Sequence, residues 1–226
     1  MKSYRMVINL TARKKKDRTQ QRTEATRDAL IQAARQVFSE KGLDLTTIDD
    51  ITERADVGKG TFYYHFENKA NLISELMSSV MSDLAAASEA KCSSSDTLEG
   101  LLDLLIKSHV DFFNNRWEDF VIHFQGRADI TLQKGYEGID ASFNEYLDRI
   151  AALLDAVIKH HLDRNTLLRI SCAVAGFVSG YYSFAVIFSE EKDFEENLQA
   201  VRGALVAAMS RFIKESISDK ESPARW

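Results

Sequence analysis

A chain of 226 residues, 45% hydrophobic and 28% charged, has the length and balance of one or two globular domains with a substantial core, which excludes collagen-like and low-complexity compositions. It holds one proline, Pro223, and ten thinly spread glycines, so long helices are permitted and an all-α fold is predicted. The net charge of −5 is uneven: residues 1–71 hold 14 basic and 10 acidic side chains and residues 72–226 hold 15 and 24, a +4 end on a −9 body, suited to presenting one end to a polyanion.

Cys92 and Cys172 lie far apart and form no C-x-x-C pair, so zinc and redox motifs are unsupported. Free thiols fit a reducing, cytoplasmic setting. The apolar run Met6 to Leu10 is too short for a signal peptide, and Arg13 to Lys16 follow it. Residues 1–22 carry eight basic side chains and no folding pattern, and read as a basic, flexible arm.

Periodicity then predicts about nine helices. Leu30, Ile31, Ala34, Val37 and Phe38 form the first stripe, with Thr23 or Thr26 as cap and Gly42 as stop. Thr47 caps a second helix and pairs with Asp50 in a capping box; Ile48, Ile51 and Ala55 face inward. The turn Ala55 to Gly58 leads to a short third helix, Lys59 to Phe66. Phe62 and Phe66 can anchor it, leaving Lys59, Gly60, Thr61, Tyr63, Tyr64 and His65 to the other faces. Exposed aromatics on so short a helix suit a surface that something covers, and a DNA major groove would do so. Asn68 caps a fourth helix. Lys69, at its positive end, is either a tolerated surface lysine or a cation awaiting a phosphate.

Two short helices joined by a tight turn are the core of a helix-turn-helix. The run Thr26 to Leu72 resembles the DNA-binding domain of the tetracycline-repressor (TetR) family: Ala33-Ala34, Phe38, Gly42, Thr46-Thr47, Ile51, Ala55, Val57, Gly60-Thr61, Tyr63, His65-Phe66 and Lys69 fall in step. The resemblance implies that Lys59 to His65 is the recognition helix, with Tyr63 at the centre of the contact, and that Thr47 and Lys69 hold phosphates. Thr52 departs from the family's small alanine and Asp56 from its turn glycine, although aspartate tolerates a left-handed backbone. The expected organisation is an arm over 1–22, a helix-turn-helix domain over 23–71, and a ligand-binding and dimerisation domain over 72–226.

In that last domain, helix five carries Leu98 to Phe113 and helix six Trp117 to Phe124. Gly126 to Gly138 reads as irregular, helix seven runs from about Ile139 to His161, helix eight from Asn165 to Phe188, and helix nine follows a box of Asp193 and Glu196. Ile170 to Phe188 is 19 residues without a charge, yet its serines, tyrosines and glycines fit a buried or dimer helix better than a membrane span. Ala173, Gly176, Gly180 and Ser183 of helix eight, with Leu205 and Phe212 of helix nine, are the candidate homodimer surface, as the family's four-helix interface implies; tight packing inside one subunit is the alternative. An apolar pocket for a small-molecule effector is expected among His109, Phe113, Trp117, Phe120 and His123, joined by Phe124, Phe143, Tyr146 and Tyr181. Any one of these also fits a plain core, and His109 a bonded core histidine.

The leading reading is a repressor released from double-stranded DNA, at a palindromic operator, by its ligand, with helix four joining pocket to head. The alternative is a ligand-independent DNA-binding protein that acts through a protein partner or organises chromosomes. An enzyme is disfavoured: His160, His161 and Asp163 crowd one helix end, and neither a nucleophile motif nor a phosphate loop is present. No cofactor or metal is expected.

Overall fold

A computed structural model describes residues 2–114, 116–131, 139–158, 162–187 and 194–221. Among the described residues every regular element is an α-helix: α1 (Lys2–Lys41), α2 (Ile48–Arg54), α3 (Lys59–His65), α4 (Lys69–Cys92), α5 (Leu98–Asn114), α6 (Trp117–Thr131), α7 (Ile139–Val157), α8 (Arg164–Ile187) and α9 (Phe194–Glu221). The all-α prediction holds. The chain forms two compact units, residues 1–76 with 118–137 and residues 77–117 with 138–226, and the division falls inside α4.

The first unit is built on the expected stripes. Leu30, Ala33, Ala34, Val37 and Phe38 of α1 are buried with Ile51 of α2, Phe62 of α3, Phe66 and Leu72. Each large side chain so buried contributes roughly 1.5–3 kcal/mol of hydrophobic stabilisation. Gly42 ends α1 at φ 82°, its amide donating to the Phe38 carbonyl at 2.8 Å. Glycine enters that backbone region without the steric cost most side chains meet there.

Three expectations change. The segment read as an arm is helical from Lys2, and Thr23 and Thr26 donate back to the carbonyls of Thr19 and Arg22 instead of capping. With no glycine or proline before Gly42, nothing local stops the helix. Helix six runs on through Gly126 to Thr131; a lone glycine costs a helix only roughly 1 kcal/mol and does not by itself end it. The head is also larger than residues 23–71: α6 folds into it, where Asp119 pairs with Arg35 and Gln125 reaches Leu43.

The second unit packs the lower part of α4 with α5, α7, α8 and α9 around Val80, Met81, Leu84, Leu102, Ile106, Leu154, Val178, Met209 and Ile213. Arg149 of α7 clasps the Glu89 carboxylate of α4 with two bonds, at 2.6 and 2.7 Å, and donates to the Ser82 carbonyl. Asp163 caps α8 through the Thr166 amide at 3.0 Å. Helix seven ends at Val157; His160, His161 and the Asp193 box lie outside the described residues. Among the described residues no helix is long and apolar enough to cross a membrane, and no three side chains cluster as metal ligands.

Candidate nucleic-acid interface

The geometry begins at the start of α2. The Thr47 hydroxyl accepts from the Asp50 amide at 3.2 Å, while the Asp50 carboxylate accepts from the Thr47 amide at 2.9 Å and its hydroxyl at 2.7 Å. Lys41 adds an ion pair at 2.5 Å, and these bonds hold the Asp50 carboxyl well below the usual carboxylate range. Helix α2 ends in a turn where Asp56 takes φ 53°, the conformation a turn glycine would supply. Thr52, the other departure from the family pattern, is buried and donates to the Asp49 carbonyl at 3.2 Å. Its extra oxygen is thereby satisfied inside the helix pair.

Helix α3 is fixed from within by Phe62 and Phe66, rings 5.6 Å apart and both buried. That anchoring turns Tyr63 and Tyr64 outward, 56% and 74% exposed. Around Gly60 a β-carbon would meet no atom within 4 Å, so the start of α3 is open. Lys59 pairs with Asp49 of α2 at 2.6 Å, and that carboxylate raises the lysine's pKa. Both partners are well exposed, so the pair is weak and a phosphate can replace the carboxylate. Thr61 is half-buried. His65 is not on an open face: it is half-buried, edge-on to Tyr64 at 5.0 Å, and burial with the nearby Arg27 charge lowers its pKa.

Lys69 differs most from its expected role. Its ammonium donates to the carbonyls of Leu43 at 2.8 Å, Asp44 at 3.2 Å and Thr46 at 2.8 Å. An ammonium has three hydrogens, and all three are placed on the loop between α1 and α2. The cation at the start of α4 is thus held by backbone carbonyl dipoles. The same loop is gripped by Gln125 of α6, whose Oε1 accepts from the Leu43 amide at 2.7 Å. Sequence reading missed Gln125, since nothing in its neighbourhood marks a partner 82 residues away.

The expected pocket residues divide between the units. In the second unit His109 is buried; its Nδ1 donates to the Leu105 carbonyl at 2.8 Å, so Nε2 is the acceptor for the Tyr146 hydroxyl at 2.6 Å. Burial pushes the imidazole pKa down to about 4. Phe143 lies against Tyr146 at 6.1 Å, and Phe113 and Tyr181 are buried. In the first unit Phe120 stacks on Phe124 at 5.8 Å beside buried His123, while Phe124 is 53% exposed. Trp117, which belongs to the second unit, is half exposed.

On α8 and α9, a β-carbon at Gly176, Gly180 or Gly203 would meet nothing within 4 Å. Ala173, Ser183 and Leu205 are half-buried, Ala204, Ala207 and Ala208 are exposed, and Phe177 and Phe212 are 43% exposed.

The profile described as "Bacterial regulatory proteins, tetR family" matches residues 30–76. The chain is 40% identical over 77 residues to the HTH-type transcriptional regulator TtgR of Pseudomonas putida, a match covering 33% of this chain and 37% of TtgR. It is 27% identical over 144 residues to IcaR of Staphylococcus epidermidis, an HTH-type negative transcriptional regulator of the biofilm operon icaADBC, covering 63% of this chain and 64% of IcaR. Its fold is similar to that of the transcriptional regulator FadR from Bacillus subtilis in complex with stearoyl-CoA: TM-score 0.59, 20% identity, 84% of this chain and 97% of that one.

Proposed function

From the match of residues 30–76 to the tetR family of bacterial regulatory proteins, we propose that the chain is a member of that family and a homodimeric transcriptional regulator that represses from a palindromic DNA operator until a small molecule releases it. The observation that carries this reading is α3 itself, where two buried phenylalanines hold two exposed tyrosines outward beside an open glycine. Tyrosine hydroxyls bond phosphate oxygens and tyrosine rings meet thymine methyl groups, so such a helix suits a major groove. Thr47, Lys59 and Thr61 flank that face.

Two heads held ~34 Å apart reach successive major grooves on one side of the duplex. The uncovered small-residue face of α8 and α9 supports a second copy of this chain as the means of holding them. For the effector, a long apolar chain is the favoured class: FadR of similar fold is in complex with stearoyl-CoA, and the buried His109–Tyr146 bond supplies a polar point among apolar helices. Release needs ~1.4 kcal/mol of differential binding for each tenfold loss of DNA affinity. The working place is the cytoplasm, where Cys92 and Cys172 remain free thiols.

The test is a footprint on DNA upstream of the protein's own gene, with and without metabolite fractions. A protected palindrome that a fraction relieves supports the proposal. A protected site that no metabolite fraction relieves overturns the ligand-released part, and absence of any sequence-specific protection overturns the whole.

A further inference from the structure

Helix α1 is longer than the fold it anchors. From Leu30 its apolar stripe is buried, but Thr19, Gln20, Gln21 and Arg22 are all exposed. Four consecutive residues at ~100° each cover the whole circumference of a helix, so at this turn every side faces away from the folded unit. The backbone nevertheless stays helical to Lys2, a further ~30 Å at 1.5 Å per residue.

Such a helix is poorly stabilised by itself. Residues 1–22 hold eight basic side chains against one acidic, Asp17. Lys14 and Arg18, and Arg18 and Arg22, stand four apart; Arg13 and Lys16, and Lys15 and Arg18, stand three apart. These like-charge spacings oppose helix in a segment that no packing supports, since most helical stability in proteins comes from tertiary packing. A polyanion alongside would turn the repulsion into attraction and release its own counterions. An anionic membrane is a poorer match for the charged stretch itself, because residues 11–22 offer a single apolar side chain, Ala12, and the apolar run Met6 to Leu10 lies before it, whereas an interfacial helix needs an apolar face alongside its charges.

The point of exit fits the same partner. Arg27 lies with its guanidinium 5.2 Å from the ring centre of Phe66, the residue that closes α3, and it pairs with Glu75. The basic stretch therefore departs from the end of the helix that carries Tyr63 and Tyr64.

We infer that the N-terminal half of α1 is a second DNA-contacting element, a basic helix that binds the phosphates flanking the sequence under α3. This rests on the proposed DNA-binding function and adds to it a larger footprint and a sequence-independent share of the affinity.

The test compares the full chain with a full-length variant in which Arg13, Lys14, Lys15, Lys16 and Arg18 are all changed to glutamine. Duplex binding is titrated over a range of salt, on the footprinted site and on a mixed-sequence duplex several turns long. The variant is expected to lose ~0.9 from the slope of log affinity against log salt for each phosphate contact removed, on both duplexes. Its footprint should shorten at the outer edges, while its preference for the site over mixed sequence is retained. Unchanged slope and footprint overturn the inference and leave the regulator intact; failure of the parent chain to prefer any site overturns the regulator reading instead. Parent binding to phosphatidylserine vesicles that the variant loses, with an unchanged slope on DNA, would reassign the helix to a membrane surface and also overturn it.

Discussion

The Nζ of Lys69 lies 2.8 Å from the carbonyl oxygen of Leu43, 26 positions earlier in the chain. Through this bond and those to Asp44 and Thr46, the first residue of α4 fixes the loop that ends at the α2 cap. Lys69→Met is therefore expected to destabilise the protein, by ~1.5–3 kcal/mol, the range for hydrogen bonds to a charged group. The urea midpoint measures it. A variant that unfolds like the parent but binds DNA less well would restore Lys69 to holding phosphate.

Tyr63 stands outside the core, its ring T-shaped to that of Phe62 at 5.6 Å. Tyr63→Ala is expected to melt near the parent temperature and to lose ~1–3 kcal/mol of operator affinity. Circular dichroism and a binding titration separate the two effects, and equal affinity would remove Tyr63 from the interface.

His109 gives the second unit a pH dependence. Its imidazole, buried and bonded as the neutral form, has a pKa of about 4 against 6.5 for an ordinary histidine. Above pH ~6.5 both folded and unfolded chains hold it neutral, and it contributes no pH dependence. As pH falls through that value the unfolded chain takes up the proton first, so stability declines until about pH 4, where the loss reaches roughly 3 kcal/mol at 1.36 kcal/mol per pH unit. Denaturant melts at pH 7 and pH 5 should show a smaller difference in His109→Gln than in the parent; equal differences would show that His109 does not titrate on unfolding.

Gly180 is exposed on α8, with open space where its β-carbon would be. If this face meets a second copy, Gly180→Leu adds bulk twice across a two-fold axis, at ~1–3 kcal/mol per site. The monomer should fold normally, while sedimentation over a concentration series shows weaker association and operator affinity falls with it. A tight dimer that still binds would move the interface off this strip.

What was legible in the sequence was what a few neighbouring residues settle among themselves. The Thr47–Asp50 box, the Gly42 stop, the Phe62 and Phe66 anchors and the tolerance of Asp56 for a left-handed turn each depend on spacings of four or fewer, and each is present. The partners of Lys69 and His65 were not legible, because they come from α1 and the loop after it, which local periodicity does not bring near. The basic stretch before Thr23 looked unstructured because charge hid the absence of any helix breaker. Gly126 looked like an end, but a lone glycine weakens a helix without stopping it.

The bond from Leu43 to Gln125 also sets an order of events during synthesis. The first unit is split in sequence, residues 1–76 and then 118–137, with part of the other unit's chain between. When Leu76 leaves the ribosome, the loop that Gln125 will grip has Lys69 and the Thr46 hydroxyl to hold it, but not yet Gln125. At 5–20 residues per second, the roughly 50 residues still to be made take a few seconds. A nascent chain thus carries both halves of the helix-turn-helix before it carries their last fastener, and a head severed after residue 76 lacks that fastener permanently.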